Sequence, residues 1–191
     1  MISFALLELA LAAAGTVSAA AVDGAALRAE VRAWRAAHEI PIVRELAELL
    51  AIPNLASDRV NIERNASAIA RAFQRRGVSA RLLRVEDAPP VVYGELPAPG
   101  ARRTVLFYAH YDGQPVRPAD WAGEPWKPVL RDRPLREGGR EIPWEGLEAP
   151  LPPEGRLYAR SASDDKAPIA GLLAALDALE AAGRRPSVNL K

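Results

Sequence analysis

Two short clusters hold the side chains best suited to chemistry. The first is Ala109-His110-Tyr111-Asp112-Gly113-Gln114-Pro115, directly after the apolar run Thr104-Val105-Leu106-Phe107-Tyr108. Residues two apart on an extended segment point to the same side, so His110 and Asp112 can share one site at the carboxyl end of a strand. Open α/β sheets bind ligands there. A carboxylate beside an imidazole fixes the ring's tautomer and raises its basicity as a metal ligand. The competing reading is a strand-end histidine bonded to a backbone carbonyl, with Asp112 opening a turn. The second cluster is Ser161-Ala162-Ser163-Asp164-Asp165-Lys166. Adjacent carboxylates repel, and a buried pair needs a cation or hydrogen-bond donors to stay ionised. A divalent metal meets that need, and one carboxylate can bridge two ions through its two oxygens. Against this, Ser163, Asp164 and Asp165 are ordinary helix-start residues, where an acid also complements the helix dipole. Local pattern alone leaves both pairs of alternatives open.

The elements that must position these clusters alternate along the chain. Ala25 to Ala51 has apolar residues at helical spacing, with a break or kink expected near Ile40 because of Pro41. Ser57-Asp58 can cap a further helix running to Arg76, with Val60, Ile62, Ala66, Ile69, Ala70 and Phe73 as its apolar stripe and Gly77 as its stop. Short β-rich runs follow at Val78–Val85, Val91–Leu96 and Thr104–Ala109. The last is continuous rather than alternating, which predicts a strand covered on both faces. Gly113 to Glu154 is rich in Pro, Gly, Trp and charge without a period and reads as a long loop region. Gly155–Ser161 can form a short strand or hairpin arm. Lys166 to Ala182 reads as a helix stopped by Gly183, and Arg184–Lys191 as the beginning of another strand.

Composition narrows the chemistry. The 191 residues are 49% hydrophobic and 26% charged, with 25 basic and 24 acidic side chains and no cysteine. A net charge of +1 gives no electrostatic case for nucleic acid. Without cysteine there are no disulfides, thiolate nucleophiles or zinc–thiolate sites, so any metal must be held by His, Asp or Glu. The only histidines are His38 and His110. His38, beside Glu39 in a helical stretch, lacks the surroundings of a metal ligand. Trp34, Trp121, Trp126 and Trp144 read as packing or loop anchors. Arg160 and Lys166 can meet Asp164, Asp165 or a substrate carboxylate, or pair within the fold. Met1–Ala21 is small and apolar and closes on Val17-Ser18-Ala19 and Ala19-Ala20-Ala21, resembling a secretory signal peptide. That predicts an exported protein, periplasmic or secreted. A cytoplasmic placement is the alternative, because no Lys or Arg precedes the apolar stretch and Glu8 interrupts it. The stretch is too short and interrupted to predict a membrane span.

Taken together, Arg103–Val116 (RTVLFYAHYDGQPV), Trp121 with Glu124-Pro125-Trp126, and Gly155–Leu176 (GRLYARSASDDKAPIAGLLAAL) resemble the zinc-dependent exopeptidase family. Its members include carnosine-type and other bacterial dipeptidases, glutamate carboxypeptidase, aminoacylase, acetylornithine deacetylase and succinyl-diaminopimelate desuccinylase. The resemblance runs over residues 25–191 and is strongest to the dipeptidase branch. It implies an α/β fold, the three-layer αβα metallopeptidase catalytic domain, of which this chain would be the amino-terminal half. It implies hydrolysis of the amide bond of a dipeptide or N-acyl amino acid with two zinc ions, manganese or cobalt being possible substitutes. Carried over by residue, His110 is a metal ligand, Asp112 the catalytic-site carboxylate that orients it, and Asp164 the bridging carboxylate. Asp165 is its supporting neighbour, joined to it by a cis peptide bond. Ala159, Ser161 and Ala167 stand where the family commonly has glycine, and residues 131–154 look like a loop insertion near the site. The Glu-Glu pair that supplies the family's general base and a further ligand, its later ligands and its inserted dimerisation or lid domain have no counterpart in these 191 residues. The chain alone is therefore expected to be inactive and to bind zinc weakly, with the full-length enzyme a homodimer. Two other readings remain: a non-catalytic binding or structural module that keeps this fold, and an unrelated α/β domain with a strand-end histidine and a helix cap.

Overall fold

The computed structural model describes residues 24–191; the leader reading of Met1–Ala21 lies outside the described residues. The described residues begin with helices α1 (Gly24–Ala37), α2 (Glu39–Leu50) and α3 (Arg59–Gln74). The break between α1 and α2 falls at His38, ahead of the expected Ile40. Pro41 has no N–H to give to Ala37, and its ring crowds that carbonyl, so the helix ends there and restarts with Pro41 inside the first turn of α2. Asp58 caps α3 as its sequence position suggests, accepting from the Asn61 N–H at 3.1 Å. Ile62, Ala66, Ile69 and Ala70 form the buried stripe of α3, whereas Val60, in its first turn, is exposed.

Strands β1 (Ser79–Leu83) and β2 (Val91–Glu95) pair antiparallel, Ser79 opposite Glu95. Beyond them β3 (Thr104–Val105) pairs in parallel with a strand at the other end of the chain, Asn189–Leu190. Between these lie β4 (Val129–Arg131), β5 (Glu141–Ile142), β6 (Arg156–Tyr158) and α4 (Lys166–Ala181), which makes Asn189–Leu190 β7. Leu96 and Leu190 exchange two backbone hydrogen bonds of 3.0 Å, which joins β2 to β7. The strands therefore run β1–β2–β7–β3, and α4 is the crossover that makes β3 and β7 parallel.

Two expectations change here. Thr104–Ala109 is not a strand covered on both faces: Leu106 is 73% and Tyr108 86% exposed. Among the described residues only β7 pairs with this segment, and a trough of about 670 Å³ separates it from α3 and α4. The region from Gly113 to Glu154 is not wholly loop. Strand β4 pairs with both β5 and β6 in a three-stranded antiparallel sheet, order β5–β4–β6. Strands of two or three residues between prolines and glycines are too short to show a period. This small sheet is fastened to α2, where Glu39 Oε1 accepts the Leu151 N–H at 2.5 Å and Arg44 donates to the Trp144 carbonyl.

The core lies where α2, α3 and α4 meet: Leu49, Ile69, Ala72, Ile169 and Leu173, with Phe73, Val92 and Tyr111 packed against them. A single guanidinium crosses the same junction. Arg76, just past α3, donates to Glu45 of α2 at 2.8 Å and to Asp177 of α4 at 2.7 Å, and its side chain is only 11% exposed. Burial works against its charge, but both carboxylates outweigh that and hold its pKa above the ordinary arginine value. Removing it strands two partly buried carboxylates. Arg76→Ala is expected to cost about 2 kcal/mol, whereas Arg84→Ala, which breaks the exposed pair with Glu63, costs clearly less because solvent screens that pair; urea midpoints of the two variants check this.

Candidate active site

His110 follows β3 on the segment that leads away from the sheet. Its Nδ1 lies 3.1 Å from Asp112 Oδ1 and its Nε2 2.8 Å from Asp164 Oδ1. The two clusters, fifty-odd residues apart, thus meet on one imidazole. Asp165 joins from the other side, its Oδ2 accepting the His110 main-chain N–H at 3.1 Å. The Asp164–Asp165 peptide bond is cis. Asp165 occupies the N-cap position of α4, yet its side chain makes no capping bond. Its carboxylate is given to His110, which answers the helix-cap alternative for that residue. Partial burial pulls the His110 pKa down, but the carboxylates of Asp164 and Asp112 outweigh it and leave the ring above its ordinary value.

The donor types suit a divalent cation: an imidazole nitrogen and a carboxylate oxygen brought face to face, with a second carboxylate behind the ring. The Asp164 side chain is 74% exposed, so its oxygens are accessible. Among the described residues no group of three or more His, Cys, Asp or Glu is placed to hold a metal ion. The described residues therefore offer two donors and an orienting carboxylate.

What supports these groups was not evident from residue type. Asn54, in the turn between α2 and α3, is wholly buried. Its Nδ2 donates to the Tyr111 carbonyl at 2.8 Å and to Ser161 Oγ at 2.9 Å, and its Oδ1 accepts from Trp126 Nε1 at 3.0 Å. The only sequence signal was a lone amide inside the apolar run Leu49–Leu55. Lys166 is also wholly buried. It meets neither Asp164 nor Asp165; its Nζ donates to the carbonyls of Leu49 at 2.6 Å and Ile52 at 3.1 Å, at the end of α2. Burial lowers the amine to about 7. Arg160 makes no ion pair among the described residues either. Its guanidinium lies 5.0 Å over the Trp121 ring and donates to the Pro115 carbonyl, so Trp121 and Trp126 are loop anchors as expected. His38 stacks on Trp34 and bonds that residue's carbonyl, away from the site cluster.

With this geometry in place, comparison with known proteins shows what the chain is similar to. Residues 106–191 match Peptidase family M20/M25/M40. Cys-Gly metallodipeptidase dug1 of Schizosaccharomyces pombe is 25% identical over 161 residues, covering 78% of this chain and 29% of that protein. Beta-Ala-His dipeptidase of Homo sapiens is 31% identical over 104 residues, covering 54% of this chain and 16% of that protein. Among solved structures, the dipeptidase Dug1p of Saccharomyces cerevisiae superposes with a TM-score of 0.65 at 22% identity, covering 85% of this chain and 33% of that one. The chain has a mixed α/β fold like part of the M20 peptidase structures it superposes on, and its sequence is similar to dipeptidases. It spans 29% and 30% of the length of the first two curated relatives. No helix among the described residues is long and apolar enough to cross a membrane.

The close approach of the two loops yields a local test. A Cβ on Gly113 would lie 2.7 Å from Ser161 Oγ and 2.9 Å from Asn54 Oδ1, whereas one on Gly171, inside α4, meets nothing within 4 Å. Gly113→Ala is expected to destabilise by about 1–3 kcal/mol through overpacking, and Gly171→Ala to stabilise by about 0.5–1 kcal/mol through helix propensity, both read from urea denaturation.

Proposed function

We propose that this chain forms the part of a metal-dependent dipeptidase that supplies His110 and Asp164 as ligands to a pair of divalent ions. Zinc is the expected metal, with manganese or cobalt able to substitute. The observation that carries the reading is the His110 imidazole flanked by Asp112 and Asp164, on a segment whose sequence matches a peptidase family. When bound, the ions would polarise the scissile carbonyl and acidify a water molecule. Asp112 holds the ring by Nδ1 so that Nε2 faces Asp164, the assignment expected of a carboxylate behind a ligating histidine. Asp164, its carboxylate largely exposed, would be the ligand shared by the two ions. Asp165 fixes the His110 backbone, which keeps the ring from withdrawing along the strand. The substrate class is a dipeptide or related N-acyl amino acid; relatives named for Cys-Gly and β-Ala-His make these the first probes.

The test is hydrolysis of Cys-Gly and β-Ala-His by the zinc-loaded enzyme that contains this chain. His110→Ala and Asp164→Asn are expected to abolish turnover, and Asp112→Asn to weaken metal affinity or activity about 10–100-fold. The isolated 191-residue chain is expected to turn over neither probe, because two donors do not close a dinuclear site. Absence of hydrolysis by the wild-type protein would instead favour a non-catalytic module, and unchanged hydrolysis in His110→Ala would place the chemistry away from this histidine. The exported placement rests on Met1–Ala21. Amino-terminal sequencing of the protein from its host is expected to begin at Ala20 or Val22, and a start at or next to Met1 would favour the cytoplasm.

A further inference from the structure

Asn54 touches neither His110 nor the carboxylates, yet it stands between the loops that carry them. Tyr111, whose carbonyl it binds, lies between His110 and Asp112; Ser161, whose hydroxyl it binds, opens the loop that ends at Asp164 and Asp165. A primary amide has two N–H donors, and here each goes to a different loop. The Asn54 main-chain carbonyl adds a third tie, accepting the Gly113 N–H at 2.7 Å. We propose that Asn54, in partnership with Ser161, is the positioning residue of this site: its amide sets the spacing between the His110–Asp112 segment and the Asp164 loop, and with it the approach of Asp164 to His110.

Ser161 makes the case specific. Its φ is +65°, in the left-handed region where a side chain is strained and glycine is at ease. Glycine is also what the family resemblance leads one to expect there. Here a serine stands instead, 4% exposed as a residue, with its hydroxyl set against the Asn54 amide. Glycine at 161 would relieve the backbone but leave one buried N–H of Asn54 without its partner, which is costly in a dry environment. The absence of a Cβ at Gly113 lets Asn54 and Ser161 close to this distance. The pair thus couples the two loops through buried hydrogen bonds.

The inference rests on the site reading proposed above, but its test needs neither metal nor substrate. The metal-free 191-residue chain has two histidines, so a long-range proton–nitrogen spectrum of the rings resolves His110 beside His38. His38 belongs to the α1–α2 junction, bonded to Trp34 and in neither loop, and serves as an internal control. Asn54→Asp keeps the shape and loses both donors; Ser161→Gly removes one acceptor and accepts the backbone angle without strain. Both are expected to shift the His110 ring resonances while leaving those of His38 in place and the circular dichroism unchanged. An unmoved His110 ring in either folded variant would overturn the proposal, as would joint movement of both histidines, which marks general loosening. Ser161→Gly decides the matter if Asn54→Asp does not fold. Loss of the dipeptidase reading, through absent hydrolysis, would leave this spectroscopic result standing, and the reverse also holds.

Discussion

The hydrogen bonds of the Asn54 amide are the constraint around which the site is arranged. Buried polar groups must be satisfied, and in an interior of low dielectric an unmet donor costs more than a met one gains. Asn54 is fully enclosed, so its two donors and its acceptor dictate where Tyr111, Ser161 and Trp126 can lie. Those residues come from three stretches remote in sequence. Once they are placed, His110 and Asp112 on either side of Tyr111, and Asp164 just beyond Ser161, have little freedom to miss one another. An apolar residue at 54 could fill the same volume but would carry no directional information.

Lys166 does similar work one layer below. Its amine is buried against the carbonyls of Leu49, in the last turn of α2, and Ile52, just beyond it. The head of α4 is thereby pinned to the tail of α2, and the turn from residue 51 to residue 54 is held between them. Asp165, immediately before Lys166, can then release its carboxylate from helix capping and use it on the His110 backbone. The apolar core of Leu49, Ile169 and Leu173 supplies the enclosure that makes both polar anchors directional. Arg76 closes the far side of the same three-helix junction through Glu45 and Asp177. The small sheet β5–β4–β6 has another part: β6 feeds directly into Arg160 and Ser161, and the ties of its neighbouring loops to Glu39 and Arg44 steady that approach.

Much of this was legible along the chain. Helix limits followed local chemistry that acts over three or four residues: Asp58 capping α3, Gly77 and Gly183 in left-handed turns, Pro41 ending α1. The clusters around His110 and Asp164 stood out because imidazole and carboxylate spacing is itself a chemical pattern. Readings that depended on coverage failed. Thr104–Ala109 looks interior by composition, but hydropathy describes a preference for burial, and only neighbouring elements can satisfy it. Lys166 looked like a partner for acids because charge suggests a charge; its side chain instead turns inward to two carbonyls.

The sequence by itself determined the residue types able to act as donors, their local frames at the end of a strand and the head of a helix, and the class of chemistry they permit. Those properties are set by covalent structure and near neighbours. Tertiary structure alone decided that the second ring nitrogen of His110 would face Asp164, that Asp165 would serve His110 rather than cap α4, and that Asn54 would join the loops. Each of these is a contact between residues far apart in the chain, fixed by packing and by the need to satisfy buried hydrogen bonds. No local pattern in the sequence encodes either.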